Sequence, residues 1–263
     1  MLGISSYFKD LDYDYLKKAS EIGAKYIFTS LHIPEEDLSK LDEVLPTFLE
    51  TCKTLNLELV PDISPATFEK LGVKPNDYQA IKDLGFNTLR LDYGFDDYNV
   101  LKTLLQDFNL VLNASVVDEA YVLDAKANGV DFTNISVMHN FYPKTETGLS
   151  MKYFKDRNNV FIRHDIPIMA FVTGDRLKRF PLYEGLPTVE KHRHVNPYVA
   201  AVELIHDCDI HDILIGDSLA YTNTLQFIQD YMEHKIMHIP VVFNKEYETM
   251  YDVEYGVRRD LSE

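Results

Sequence analysis

With 263 residues, 46% of them hydrophobic, the chain has enough apolar material for one large domain, and no segment reaches the roughly 18 consecutive apolar residues of a membrane span. Its 26 basic and 42 acidic residues leave a net charge of −16, which argues against nucleic acid and against an anionic membrane as partners. A small anionic ligand stays compatible with that charge wherever basic residues gather locally.

Eight short apolar runs follow one another, at residues 2–6, 26–32, 57–64, 88–93, 110–115, 131–139, 166–173 and 212–217. Core-type residues come first in each run, and most runs close on a polar or charged side chain. Amphipathic stretches lie between them. The first, residues 11–23, carries Leu11, Tyr15, Leu16, Ala19 and Ile22 on one face and stops at Gly23. The second, 37–55, contains Pro46, which should kink or split it. A short helix starts at Ser64-Pro65, a break follows at 72–75, and a helix resumes over 76–84 with Gly85 as its cap. Residues 95–108, 117–128, 150–164, 197–207 and 220–234 supply the rest. Strict βα alternation over a length close to the roughly 250 residues typical of such folds predicts an α/β chain, a single-domain TIM (β/α)8 barrel over residues 1–237. Residues 238–263 form a C-terminal extension holding one more apolar run at 239–243.

In such a barrel the chemistry sits at the carboxyl ends of the strands. Those ends supply Ser30 and His32, Asp62 and Ser64, Arg90 and Asp92, Asn113 and Ser115, His139, and Asp217. Pairs spaced by two face the same way on a strand, so several polar groups converge on one mouth. The acids among them are candidates for proton transfer. Each has a plainer alternative: Asp62 as organiser of the next turn, Asp92 as a structural ion pair with Arg90, and Asp217 as a helix N-cap. Asn113, an amide at the end of an apolar strand, is a candidate ligand donor.

Two loops are longer than the rest. Residues 140–149, with His139 before them, combine Asn140, Phe141, Tyr142 and Lys144, a set of donors, a cation and aromatic faces that suits a sugar ring. Residues 174–196 hold five basic residues, Arg176, Lys178, Arg179, Lys191 and Arg193, against three acidic ones, Asp175, Glu184 and Glu190. This local inversion of sign reads either as a phosphate trap or as a solvated charged loop. Within it Glu184 stands between apolar neighbours and two prolines, a setting expected to keep a carboxyl protonated. His192 and His194 form an H-x-H pair, but in a basic loop away from a strand end, so no metal is expected. No dinucleotide fingerprint or P-loop occurs, and no cofactor is expected. Cys52 and Cys208 lie far apart without redox spacing, and the N-terminus lacks an export pattern, so a cytoplasmic location is expected.

The segments 30–37, 62–65, 89–95, 112–115, 139–143 with 146–150, and 181–187 with 190–193 together resemble the MupG family of TIM-barrel proteins. The resemblance runs from Met1 to about Asp217. It implies a cytoplasmic 6-phospho-N-acetylmuramidase that splits N-acetylmuramic acid 6-phosphate from N-acetylglucosamine in material recycled from the cell wall. Its partner is then a small phosphorylated amino-sugar, with a homo-oligomer left open. It also implies a smaller β-rich domain further on, with residues 257–262 resembling the junction. On this reading Glu184 or Asp92 protonates the leaving oxygen, while Asp62 or Asp92 activates water, acts as nucleophile or steadies the positive ring; assistance from the substrate's own acetamido group is a third route. Ser30, His32, Arg90, Asn113, His139, Asn140, Tyr142, Arg176 and Asp217 are the expected substrate contacts. Two alternatives share the barrel: a sugar-phosphate lyase or epimerase, and a phospho-sugar-binding barrel without activity.

Overall fold

In the computed structural model, which describes residues 1–31, 41–239 and 241, eight parallel strands close into a barrel. They are β1 (Leu2–Ser5), β2 (Tyr26–Ser30), β3 (Glu58–Ile63), β4 (Thr88–Leu91), β5 (Asn109–Asn113), β6 (Ile135–Met138), β7 (Ile168–Val172) and β8 (Asp212–Ile215). Each pairs with its neighbour in sequence, and β8 pairs back onto β1. The helices are α1 (Tyr13–Ile22), α2 (Leu41–Thr54), α3 (Pro65–Lys70), α4 (Tyr78–Asp83), α5 (Tyr98–Leu104), α6 (Glu119–Ala127), α7 (Met151–Arg163), α8 (Pro197–Cys208) and α9 (Thr222–His234). The expected α/β barrel is therefore the observed fold.

Local chemistry sets the helix ends. Asp12, Asp77, Asp97, Asp118, Ser150 and Asn196 each accept a backbone N–H at the start of a helix, an arrangement worth about 1 kcal/mol apiece. Gly23 closes α1 at φ +114°, where its N–H reaches the carbonyls of Ala19 and Ser20. Two boundaries differ from expectation. α2 runs through Pro46 without splitting: proline removes one hydrogen bond near its start, and Leu45, Phe48 and Cys52 stay buried against the barrel. β6 starts at Ile135 rather than 131, because the Asp131 carboxylate accepts from the N–H and hydroxyl of Thr133 and turns the chain there.

Period-two alternation divides the strand residues between two cores. Ile27, Leu59, Leu89, Leu110, Val137, Ile168 and Ile213 face the helices in the larger one. Phe28, Val60, Val111, Met138, Met169, Phe171 and Leu214 fill the barrel interior. Residues on the interior face beyond this layer point into the mouth. At the far end of the chain, His238 anchors the start of the extension: its ring stacks on Phe227 at 4.1 Å, and its N–H donates to the Tyr198 hydroxyl. Residues 242–263, including 257–262, lie outside the described residues, as does His32.

Two loops shape the mouth, and one ion pair clamps them together. The Glu190 carboxylate accepts from the amides of Glu146 (2.9 Å) and Gly148 (2.7 Å) in the loop after β6, and from Nε and Nη2 of Arg193. Arg193, itself buried, donates onward to the carbonyls of Tyr142, Gly185 and Lys144. The Arg193 guanidinium, aided by the two amides, holds the Glu190 carboxyl down at about 2. Since the folded pKa lies below the unfolded one, its stabilisation is complete above the ordinary carboxylate value of 4.5 and is lost as pH falls through about 2. Glu190→Gln should thus lower stability at pH 7, by on the order of 1–2 kcal/mol once solvent screening of the partly exposed carboxylate is allowed for. The gap in melting temperature from wild type should narrow steadily below pH 4.5; a gap constant down to pH 2 would contradict this assignment.

Candidate active site

The register of the strands assembles the mouth. Ser30 pairs with Asp62, and Asp62 pairs with Arg90, so their side chains stand side by side on the interior face. Arg90 donates through Nη1 to Oδ1 of Asp62 and through Nη2 to Oδ1 of Asn140. The same Nη1 lies 3.8 Å from Oδ1 of Asp92. Asn113 donates to Asp92 at 3.1 Å and accepts the Ser115 N–H at 2.9 Å, which fixes both its amide and the carboxylate it holds. Ser30 is buried beside this group, and its hydroxyl has no hydrogen-bond partner among the described residues.

Asp62, Arg90, Asp92, Asn140 and Tyr142 line a cavity of about 230 Å³ with Phe28, Phe141 and Phe171. The three phenylalanines meet edge to face, with centroids 5.2 to 5.8 Å apart. One wall is therefore apolar and aromatic, and the other carries two acids on one guanidinium. Such a wall pair suits a sugar, whose C–H faces lie on rings while its hydroxyls reach charged groups. The side chain of Asp62 is 10% exposed and that of Asp92 27%, so Asp92 is the acid a ligand meets more readily.

The remaining expected contacts lie elsewhere. β6 ends at Met138, whose side chain takes the interior position, so His139 points outward. Its Nε2 lies 2.7 Å from Oδ1 of Asn158, its ring lies against Phe154, and burial lowers its pKa to about 4. Asp217 is buried as the anchor of the loop after β7, accepting the N–H groups of Gly174 (2.7 Å), Arg179 (2.9 Å) and Leu186 (3.2 Å). Burial pushes its pKa up despite those amides and nearby Lys178. Gly216 beside it is required, since a Cβ there would come within 2.3 Å of the Leu186 carbonyl oxygen. Arg176 is exposed, and its backbone N–H donates to the Leu219 carbonyl.

Glu184 is exposed, not enclosed by its apolar neighbours; Leu182 and Tyr183 also face solvent, and Leu186 takes the buried place. Glu184 accepts from the Thr145 hydroxyl at 3.2 Å and lines a second cavity of about 260 Å³ next to the first. His192 turns to Glu203 at 2.7 Å. Among the described residues no group of three or more His, Cys, Asp and Glu is arranged to hold a metal ion, and no helix is long and apolar enough to cross a membrane. Phe28 and Phe171 were not expected at the site, because a buried strand gives a cavity-facing phenylalanine the same neighbours as a core one.

Solved structures with this architecture include a conserved protein of unknown function from Enterococcus faecalis, 30% identical with a TM-score of 0.78 over 90% of this chain and 67% of that one. An uncharacterized protein of B. cereus is 28% identical, with a TM-score of 0.73 over 87% of this chain and 64% of that one. The chain thus spans about two thirds of the length of each. A thiamine phosphate pyrophosphorylase from Pyrococcus furiosus, 12% identical with a TM-score of 0.51 over 88% of this chain and 96% of that one, shares the fold alone. No curated protein matches the chain. Residues 2–230 match the family described as 6-phospho-N-acetylmuramidase, N-terminal (MupG_N), and the chain belongs to that family.

Proposed function

We propose that this chain is the barrel of a cytoplasmic glycosidase that hydrolyses the β-glycosidic bond between N-acetylmuramic acid 6-phosphate and N-acetylglucosamine. The observation that carries the reading is the pair of carboxylates, Asp62 and Asp92, gathered on one guanidinium nitrogen opposite an aromatic wall. Family membership supports the substrate class. A cytoplasmic setting is in keeping with a phosphorylated substrate, which does not cross a bilayer unaided, and with two buried free thiols, Cys52 and Cys208.

Glycoside hydrolysis needs an acid for the leaving oxygen and an anion for the positive ring that develops as the bond breaks. In this reading Asp92, the more accessible carboxyl, donates its proton to the bridging oxygen as the bond from C1 breaks. Asp62, held against Arg90, supplies the fixed negative charge facing C1, directly or by orienting the 2-acetamido group. Water then adds its hydroxyl to C1 and returns a proton to Asp92. Asn113 keeps Asp92 aimed at the cavity, and Asn140 and Tyr142 contact the sugar. This reading assigns the proton transfer to Asp92 rather than to Glu184, which is exposed beside the second cavity.

With a chromogenic 6-phosphorylated N-acetylmuramide, Asp92→Asn should lower kcat on the order of 10²- to 10⁴-fold while the fold survives; wild-type turnover by this variant would refute the assignment. Chelation by EDTA should leave the rate unchanged, because the proposed chemistry uses carboxylates alone. Loss of activity on chelation, restored by a divalent cation, would instead favour a sugar-phosphate lyase or epimerase.

A further inference from the structure

The five basic residues of the loop after β7 have different fates. Arg193 is held by Glu190, Lys191 by Glu203, and Arg176 is exposed. Lys178 lies against Gly185, near the buried Asp217 carboxylate. Arg179 differs from all of them. It is 5% exposed, its guanidinium lies 4.5 Å over the Tyr7 ring, and neither Nε nor Nη2 finds an acceptor among the described residues. A buried cation without an anion is costly, and cation–π contacts with Tyr7 and, at 5.8 Å, Phe180 recover only part of that cost.

Arg179 lines the second cavity, together with Phe180, Leu186, Glu184 and Lys144. Lys144, exposed in the loop after β6, lines the same cavity, and Lys9 adds a third positive charge over the Phe180 ring at 3.7 Å. The two cavities are neighbours: Tyr142 borders the one with the acids, and Pro143 borders this one. Loops after the seventh and eighth strands frequently hold phosphate in barrels of this kind.

We propose that Arg179 and Lys144 form the oxyanion subsite that takes the phosphate monoester of the substrate, with the sugar extending past Tyr142 to Asp92. The link to a sugar rests on the function proposed above; the anion site itself does not. Nε and Nη2 are enclosed by the protein, so a phosphate oxygen would meet the guanidinium at Nη1 and supply the counter-charge Arg179 lacks.

Inorganic phosphate and N-acetylmuramic acid 6-phosphate serve as probes, read by calorimetry and by the melting-temperature rise each produces. Wild type should bind both. Arg179→Met keeps the stem on Tyr7 but removes the charge, so the variant should bind both probes at least ten-fold more weakly, lose the phosphate-induced rise, and melt no lower than wild type without ligand. A variant that keeps the wild-type response to phosphate overturns the proposal. Should Arg179→Met fail to fold, Lys144→Gln, at an exposed position, carries the test: binding several-fold weaker supports the subsite, and unchanged binding overturns it. Arg179-dependent binding of both probes without glycoside hydrolysis would sustain the subsite and sink the proposed reaction. Hydrolysis in Arg179→Met with unaltered preference for the phosphorylated substrate would do the reverse.

Discussion

Arg90 carries a full positive charge into the last interior layer of the barrel, with 3% of its side chain exposed, and everything at the mouth is arranged around it. A charge so placed is tolerable only if paired and hydrogen-bonded, and here Asp62 from β3 and Asn140 from the loop after β6 take its two terminal nitrogens. That requirement links three segments of chain. It draws the loop after β6 over the barrel end, and with it Phe141, whose ring closes on Phe28 and Phe171. It also brings Asp92 near the same cation without the close contact Asp62 makes. Two acids of the same type thus stand in unequal environments, a condition acid–base chemistry can use.

The second constraint lies outside the barrel. A loop as long as the one after β7 has many conformations to lose, and it is fixed by buried charged groups rather than by an apolar core of its own. Asp217 gathers three of its amides, and the Glu190–Arg193 pair ties it to the loop after β6. Arg193 satisfies carbonyls at Tyr142, Lys144 and Gly185, so a single side chain sets the spacing between the walls of both cavities. Charged residues that read as ligand contacts in a linear sequence are, in several cases, the means by which the loop has a shape.

That division explains what could be read in the sequence. The barrel was legible because eight apolar runs and their intervening helices repeat one rule of periodicity. The neighbourhood of Asp62, Arg90, Asp92 and Asn113 follows from spacing by two on adjacent strands, a relation that survives small errors in strand ends. His139 shows where the rule runs out: it is the next residue after Met138, and alternation sends it to the helix side. Nothing local to the run 131–139 says which parity faces inward, since Ser136 and Val137 suit either side. Glu184 shows a different limit. Apolar residues next to it in sequence do not surround it in space, because side chains in an irregular loop have no fixed period. Arg176 and Arg179 could not be told apart from sequence either, for their difference is one of burial set by Tyr7, far away in the chain.

The proposed phosphate subsite bears on how a cavity of about 230 Å³ could act on a disaccharide. A ligand held only by its reacting ring would have to be positioned by weak contacts to hydroxyls. A dianion fixed at Arg179 and Lys144 instead anchors the sugar at a point remote from the bond that breaks. Binding energy gained there limits the positions C1 can adopt relative to Asp92 and Asp62, and converts affinity into orientation. The chain as a whole is strongly acidic, so this local positive field would also separate phosphorylated from neutral sugars at the entrance. Recognition of the phosphate and cleavage of the glycoside are then coupled through the short stretch Tyr142–Lys144, whose backbone the Arg193 guanidinium holds in place.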